Sequence, residues 1–263
     1  MKAALLLALV GDLDAESADL DARVAGLDET GALTPTPADG WSIADTIAHL
    51  AATDRDAHLA ATDPDGFAAL LIRVAATGPS YVDDLVLGAR ITPWADALER
   101  WRDGRAALRE VLVGLDPDSR VPWFGPPMSP VSFVTARLME TWAHGQDVSD
   151  ALGQVRTPTA RLRSVAEIGV RARPFAYLVH GLPVPDAPVR VELTGPDGDT
   201  WTWGPEVAED IISGPALDWC LLVTQRRHRD DLCLDVTGIH AQEWAGIAQA
   251  FAGAPGGGRA PLS

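Results

Sequence analysis

From residue 136 to residue 148 the chain reads ARLMETWAHGQDV. The segment predicts a helix on which Glu140 and His144 lie four residues apart, so the two side chains share one face. Glutamate oxygen and histidine nitrogen are both ordinary zinc ligands. The spacing alone is a weak signal, because such a pair also occurs as a plain hydrogen-bonded pair on many helices. A metal site needs a third ligand from elsewhere in the chain.

A helix further upstream offers that ligand. The segment WSIADTIAHLAATD begins at Trp41, with Ser42 as a suitable N-cap and Asp45 at the capping-box distance. His49 lies in the middle of this helix beside an apolar stripe formed by Ile43, Ile47 and Leu50. The histidines that compete with it are His58, His180, His228 and His240. His58 stands in a charged stretch and the others lie in the second half, so His49 is the preferred third ligand.

The first 152 residues predict a helical domain. Apolar periodicity places four long antiparallel helices and one short extra helix there, over residues 2–27, 42–60, 64–77, 93–115 and 131–152. Between the last two helices, residues 116–130 are rich in proline and form a loop that also carries Trp123 and Phe124. Large apolar side chains in a loop must pack on something. They are candidate walls of a cofactor pocket, with plain loop packing as the alternative.

After residue 152 the pattern changes to an α+β domain over residues 158–253. Helices are predicted over residues 158–180, 216–227 and 242–252, and strands over residues 189–195, 200–204, 210–213 and 232–238. Residues 254–263 contain no core-forming run, so we expect a disordered tail. Cys220 and Cys233 lack a CxxC pattern and are expected to be buried apolar residues.

Composition narrows the possible partners. The net charge of −16 and the pI of about 4.6 disfavour nucleic acid and anionic membrane surfaces as partners. No run of apolar residues is long enough for a transmembrane helix, and we expect the N-terminal pattern to form an amphipathic helix and not a signal peptide. With two cysteines and no disulfide framework, we expect a cytoplasmic protein.

Two motifs together resemble a known family. WSIADTIAHL and RLMETWAHGQDV are similar to motifs of the DinB-like superfamily, in its mycothiol-dependent maleylpyruvate isomerase branch. There a Trp-Ser…His-Leu pattern and a Glu-x-x-x-His-x-x-Asp-Val pattern supply the metal ligands. The resemblance implies that His49, Glu140 and His144 bind the metal. It also implies a DinB-like four-helix bundle followed by a sterol-carrier-like α+β domain.

The resemblance implies a thiol-dependent enzyme with Zn²⁺ or a similar divalent ion and possible use of mycothiol. Such an enzyme isomerises a small organic substrate or transfers sulfur to it, as a monomer or a homodimer. The isomerase also uses an arginine from its C-terminal domain, for which Arg226 and Arg227 in VTQRRH are the nearest matches, with no means of choosing between them. Other segments, such as ALDWCLLVTQRRH, look like an uncharacterised actinobacterial subgroup, so the substrate stays open.

Two other functions remain open at this point. One is a Lewis-acid enzyme, a cyclase or lyase of a natural-product pathway, which needs no thiol. The other is a non-enzymatic metal-containing protein that binds a small molecule. Two further residues lie in the motifs that carry the candidate ligands. Asp147 either orients a ligand histidine or lies on the surface. Trp41 is expected to pack at the start of its helix.

Overall fold

The computed structural model describes residues 1–78 and 81–262. The chain divides into two compact units, Met1–Arg156 and Thr157–Ser263. The first unit is helical and the second is a small mixed sheet with helices, as the α+β prediction required. None of the helices in the described part of the chain combines the length and apolar character that a bilayer crossing requires.

Four long helices dominate the first unit, and three shorter ones connect them. The helices are α1 (Lys2–Val24), α2 (Glu29–Ala32), α3 (Ile43–Thr62), α4 (Pro64–Thr77), α5 (Tyr81–Ala89), α6 (Trp94–Val113) and α7 (Pro130–Ala151). Helix α3 packs against α6 and α7, and α1 packs against α7 and α6. Helices α2 and α5 were absent from the sequence prediction. Both are short, and each buries a single residue, Ala32 or Val86.

The two helices that matter for the site begin at strong local signals. Ser42 caps α3 by accepting a hydrogen bond from the backbone N–H of Asp45, while the Asp45 carboxylate accepts one from the backbone N–H of Ser42. Helix α7 begins with Pro130 in its first turn, after Ser129 as the cap. The buried face of α3 carries Ile43, Ile47 and Leu50, which belong to an apolar cluster with residues of α1 and α6.

The second unit contains a four-stranded sheet. Its strands are β1 (Val189–Thr194), β2 (Thr200–Trp203), β3 (Asp210–Pro215) and β4 (Asp235–Thr237), in the order β2-β1-β3-β4. Strands β1 and β3 are parallel, and the other two pairs are antiparallel. The helices of this unit are α8 (Leu162–Arg171), α9 (Arg173–Val179), α10 (Ala216–Val223) and α11 (Ile239–Ile247).

Several expectations for the second unit were wrong in detail, and the helix predicted over residues 242–252 spans Ile239–Ile247. The helix predicted over residues 158–180 is divided between α8 and α9 at Ala172, since Pro174 in the first turn of α9 has no N–H to continue the ladder. The helix predicted to residue 227 ends at Val223, because Gln225 adopts a left-handed backbone with φ 58°. Cys220 is buried as expected, whereas Cys233 is exposed.

The C-terminal residues make defined backbone contacts. The N–H of Gly256 donates to the side chain of Gln249 at 3.0 Å, and the N–H of Leu262 donates to the Asp231 carboxylate at 3.0 Å. Disorder of residues 254–263 stays a prediction, as do the exact domain bounds at 152 and 158.

Candidate metal centre

Three side chains from two helices converge in the first unit. Each of His49, Glu140 and His144 offers a ligand atom within 4.8 Å of the other two. The Nε2 atom of His49 lies 3.8 Å from Oε2 of Glu140, and Nε2 of His144 lies 3.5 Å from the same oxygen. Both separations exceed an ordinary hydrogen bond. They are close to the roughly 3.3–3.4 Å between two ligands of one tetrahedral zinc with bonds of about 2.0–2.1 Å.

The helices explain the convergence. Glu140 and His144 are one turn apart on α7, so they project from the same face, and α3 packs on α7 and brings His49 to that face. In the described part of the chain, these three side chains form a group close enough to share one ion, and His58 is not part of it.

The protonation states of His49 and Glu140 at neutral pH are those that bind a cation. Burial lowers the pKa of His49 to about 4, against the raising effect of the nearby Glu140 carboxylate. Burial alone would raise the pKa of Glu140, but the two histidines outweigh it and hold this pKa well below the ordinary value. At neutral pH the His49 ring is therefore uncharged, with a lone pair to donate, and Glu140 is ionised. A neutral imidazole and a carboxylate are the forms that bind divalent metals.

Trp41 forms a wall of the cluster, which the sequence analysis did not anticipate. Its ring lies 5.1 Å from that of His49 and is stacked on that of His144 at 6.0 Å, with 14° between the planes. The two histidine rings are 4.7 Å apart. Trp41 directly precedes the Ser42 cap of α3, so the turn that starts the helix also carries the indole to the histidines. In the sequence, the Trp-Ser pair of the motif was the signal that could have indicated a role for Trp41 at the site.

Asp147 supports His144 from behind. Its Oδ2 lies 3.4 Å from Nδ1 of His144, and Asp147 is fully buried, which excludes the surface role that the sequence left open. A carboxylate at Nδ1 fixes the ring orientation and directs Nε2 toward the ligand atom of Glu140. The spacing of three residues on α7 produces this contact.

Trp123 and Phe124 pack among other aromatic side chains. Trp123 stacks on Phe67 at 5.7 Å and meets Phe133 edge-on at 5.1 Å, while Phe124 meets Phe67 at 5.4 Å. Phe67 and Phe133 belong to the apolar core of the first unit. These contacts give both loop residues a packing role, and their part in a cofactor pocket stays a prediction.

Arg226 and Arg227 occupy different environments in the second unit. Arg226 donates from Nη1 to the Thr224 carbonyl at 2.6 Å, which satisfies an oxygen at the end of α10. Arg227 lines a cavity of about 270 Å³ whose other cationic or titratable walls are His180, His228, Arg229, Asp230 and Arg259. Of the two candidates, Arg227 is the one that lines this cavity.

Comparisons with known proteins cover segments of both units. Residues 13–149 match the family model described as mycothiol maleylpyruvate isomerase N-terminal domain, and residues 185–237 match one described as wyosine base formation. An uncharacterized protein found in two strains of Mycobacterium tuberculosis is 51% identical over 250 residues, covering 95% of this chain and 97% of that protein.

Solved structures give the same fold. The crystal structures of a mycothiol-dependent maleylpyruvate isomerase and of a histidine-to-alanine mutant superpose with TM-scores of 0.59 and 0.60. Each match covers 89% of this chain and 94% of the other, at 16% identity. At that identity the likeness establishes the fold alone.

Proposed function

Since the chain belongs to the mycothiol maleylpyruvate isomerase family, we propose that it is a divalent-metal-dependent enzyme that activates a low-molecular-weight thiol. The reaction is isomerisation of a small organic substrate or transfer of sulfur to it. The observation that carries the proposal is the convergence of His49, Glu140 and His144 on one point. Zinc is the proposed ion and mycothiol the proposed thiol.

The donor set fits a catalytic ion. Two imidazole nitrogens and one carboxylate oxygen are the ligands of several zinc hydrolases, and three protein ligands leave coordination positions open. A structural zinc site is instead closed by four protein ligands. This difference favours an enzyme over a protein in which the metal only supports the fold.

Each side chain has a defined task in this proposal. His49 and His144 donate neutral nitrogens, and Glu140 contributes one negative charge, so a divalent ion retains a net charge of +1. When bound, the ion lowers the pKa of a coordinated thiol and polarises a carbonyl. Asp147 holds the Nδ1 proton of His144, which keeps Nε2 as the donor. Trp41 stacks on the ring of His144 and lies tilted against the ring of His49, so its indole forms one side of the site.

The substrate chemistry is that of an activated carbon–carbon double bond. A bound thiol would supply the nucleophile: after it has given up its proton, its sulfur would form a bond to one alkene carbon, and the electron pair of the broken π bond, with the negative charge, would move to the neighbouring carbon. Rotation about the resulting single bond, followed by loss of the same sulfur, regenerates the thiol and gives the cis–trans isomer. When the neighbouring carbon is protonated instead, the carbon–sulfur bond remains and the product is a thioether.

The roles of residues outside the metal centre are proposed from the resemblance to the family. An arginine of the second unit, Arg226 or Arg227, serves in catalysis, and its fork of donors suits a carboxylate. Trp123 and Phe124 contribute to the cofactor pocket. For Arg227, its place at a cavity wall supports the assignment.

The proposal is tested with full-length protein loaded with Co²⁺, whose visible spectrum reports its ligands. Addition of mycothiol should change the cobalt spectrum in the parent and in His58→Ala, and zinc-loaded parent should then consume an activated alkene. His144→Ala should do neither. An unchanged cobalt spectrum together with metal-independent turnover would contradict the proposal.

A further inference from the structure

A second polar link joins α3 and α7 next to the metal centre. Arg137 lies one turn before Glu140 on α7, on the same face. Its Nη2 donates to Oδ1 of Asp54 at 2.8 Å and its Nε donates to the same oxygen at 3.3 Å. Nη2 also donates to the hydroxyl of Thr53 at 3.0 Å. Asp54 and Thr53 belong to α3, so one guanidinium bridges the two helices that carry the candidate ligands.

Thr53 extends this link to a candidate ligand. Its hydroxyl donates to the backbone carbonyl of His49 at 3.0 Å and to that of Leu50 at 3.1 Å. The same oxygen accepts from Arg137. A continuous hydrogen-bond path therefore runs from Arg137, one turn before Glu140, to the backbone of His49. Movement of α3 along α7 would break it.

The link is costly to bury. The side chains of Arg137 and Asp54 are 3% and 8% exposed, and burial raises the pKa of Asp54 despite the lowering effect of Arg137. Buried ion pairs often contribute little to stability compared with apolar residues of the same volume. Stability alone is thus a poor reason for an Arg–Asp pair at this position, whereas a fixed helix register is a well-attested one.

We propose that Arg137 is a positioning residue that acts through Asp54 and Thr53 to set the distance between His49 and the Glu140/His144 pair. This inference rests on the proposed function, because its consequence is metal affinity. If the three ligand side chains were not held in place before the ion binds, ordering them would cost free energy and the net affinity for the ion would be lower. The Arg137 link makes the site preorganised.

The test measures zinc affinity and metal-free stability in the same variants. Thr53→Val keeps the shape but removes the hydroxyl that joins Arg137 to the His49 carbonyl, and Thr53→Ser restores it. In a double variant, Asp54→Leu with Arg137→Met, apolar side chains replace the pair. We expect Thr53→Val and the double variant to raise the zinc dissociation constant about tenfold or more, as loss of outer support does at metal sites. Their metal-free melting temperatures should stay near the parent's.

A matched control separates positioning from general stability. Arg102 on α6 binds Asp21 on α1 at 2.6 Å, and neither helix carries a candidate ligand. Arg102→Met should leave zinc affinity unchanged, and Thr53→Ser should behave as the parent. Parental zinc affinity in both Thr53→Val and the double variant would overturn the inference. If the double variant does not fold, parental affinity in Thr53→Val alone overturns it. A parent that binds no zinc would instead refute the proposed function first, and this inference with it.

Discussion

His49 and His144 present the same type of nitrogen but are supported differently. His144 has a buried carboxylate at Nδ1, whereas the backbone carbonyl of His49 accepts the Thr53 hydroxyl. Glu140 faces both rings and supplies the charge. Each of the three side chains is directed at the cluster. Replacing one of them therefore changes the number or the charge of the metal ligands and leaves the packing of the apolar core in place.

The first prediction concerns these three ligands. His49→Ala and His144→Ala should each lower zinc affinity by more than the roughly 10–100-fold typical of outer-shell changes, since a direct bond is lost. Glu140→Gln keeps the size of the side chain and removes its charge, so binding should weaken while the fold is retained. Competition titration against a chromophoric chelator measures all three constants. His58→Ala is the control, and equal weakening by that variant would show that the ligands are misassigned.

The second prediction concerns Asp147. Asp147→Asn removes the charge at Nδ1 of His144 and can present an amide N–H where a proton acceptor is needed. Zinc affinity should fall about 10–100-fold with the same metal stoichiometry. Elemental analysis gives the stoichiometry and the chelator titration gives the affinity. A variant with parental affinity would mean that Asp147 only fills space in the core.

At the scale of helices, the start of α3 is stabilised by charge as well as by its cap. Arg90 donates to both oxygens of Asp45 at 2.9 Å, and Asp45 also accepts from Ser42. Burial alone would raise the pKa of Asp45, but these hydrogen bonds outweigh it and lower the pKa from its ordinary value of 3.8. Trp41 and Ser42 belong to the same turn, so this charge also supports a wall of the metal centre.

The third prediction is the pH dependence of that support. Because the folded-state pKa of Asp45 lies below 3.8, its stabilising contribution is complete above about pH 4 and is lost as the pH falls through the folded value. Asp45→Asn should therefore destabilise the protein at pH 7, by about 0.5–1 kcal/mol given that Arg90 is partly exposed. The difference from the parent should shrink as the pH falls below 3.8 and the Asp45 carboxylate becomes protonated. Urea unfolding at several pH values measures it, with the exposed Asp39→Asn as control. A constant difference across this pH range would rule out the carboxylate as its source.

Helix patterns in the sequence predicted α3 and α7 because their signals are local. The Ser42 cap, the stripe of Ile43, Ile47 and Leu50, and the spacing of Glu140 and His144 all lie within a few turns. The division at Ala172 and the end of α10 before Gln225 were missed, although Pro174 marked the first. The left-handed backbone at Gln225 is not typical of that residue type, so no local pattern indicated it.

Contacts between distant segments could not be predicted from the sequence, because its helix signals are local. The stacking of Trp41 on His144 joins residues about a hundred positions apart in the sequence. The pairing of Arg137 with Asp54 joins residues 83 positions apart. Periodicity predicts which face of a helix is buried, and it does not predict which helix covers that face. The family motifs supplied His49 as the partner of Glu140 and His144, and they carried no information on Arg137.

At the scale of the whole molecule, the boundary between the units has a definite anchor. Arg156 is the last residue of the first unit. It donates to the Trp142 carbonyl at 2.8 Å, lies over the Trp142 ring at 5.5 Å and pairs with the buried Glu16 of α1. Trp142 stands between Glu140 and His144 in the sequence. The end of the first unit is thereby fastened to the helix that carries two candidate ligands.

The last prediction is that the first unit folds and binds metal by itself, and that it is more stable when it includes this anchor. A fragment of residues 1–156 should melt cooperatively and hold one zinc per chain. A fragment of residues 1–152 lacks Arg156 and leaves the Glu16 carboxylate in the core without that guanidinium. Breaking a buried ion pair on one side costs about 3–5 kcal/mol, so the shorter fragment should melt at a clearly lower temperature. Calorimetry and elemental analysis compare the two fragments.

The same fragments test which unit the thiol reaction requires. In the proposed function the cation that receives an anionic cofactor or substrate is Arg226 or Arg227, which belong to the second unit. Residues 1–156 should therefore retain zinc and lose turnover, while full-length Arg227→Ala retains zinc and turns over more slowly than the parent. Arg156→Ala in the longer fragment is the control for the anchor, since it should reproduce the lower melting temperature of the shorter one. Full activity in residues 1–156 would remove the second unit from the mechanism, and equal melting of the two fragments would remove Arg156 from the fold's support.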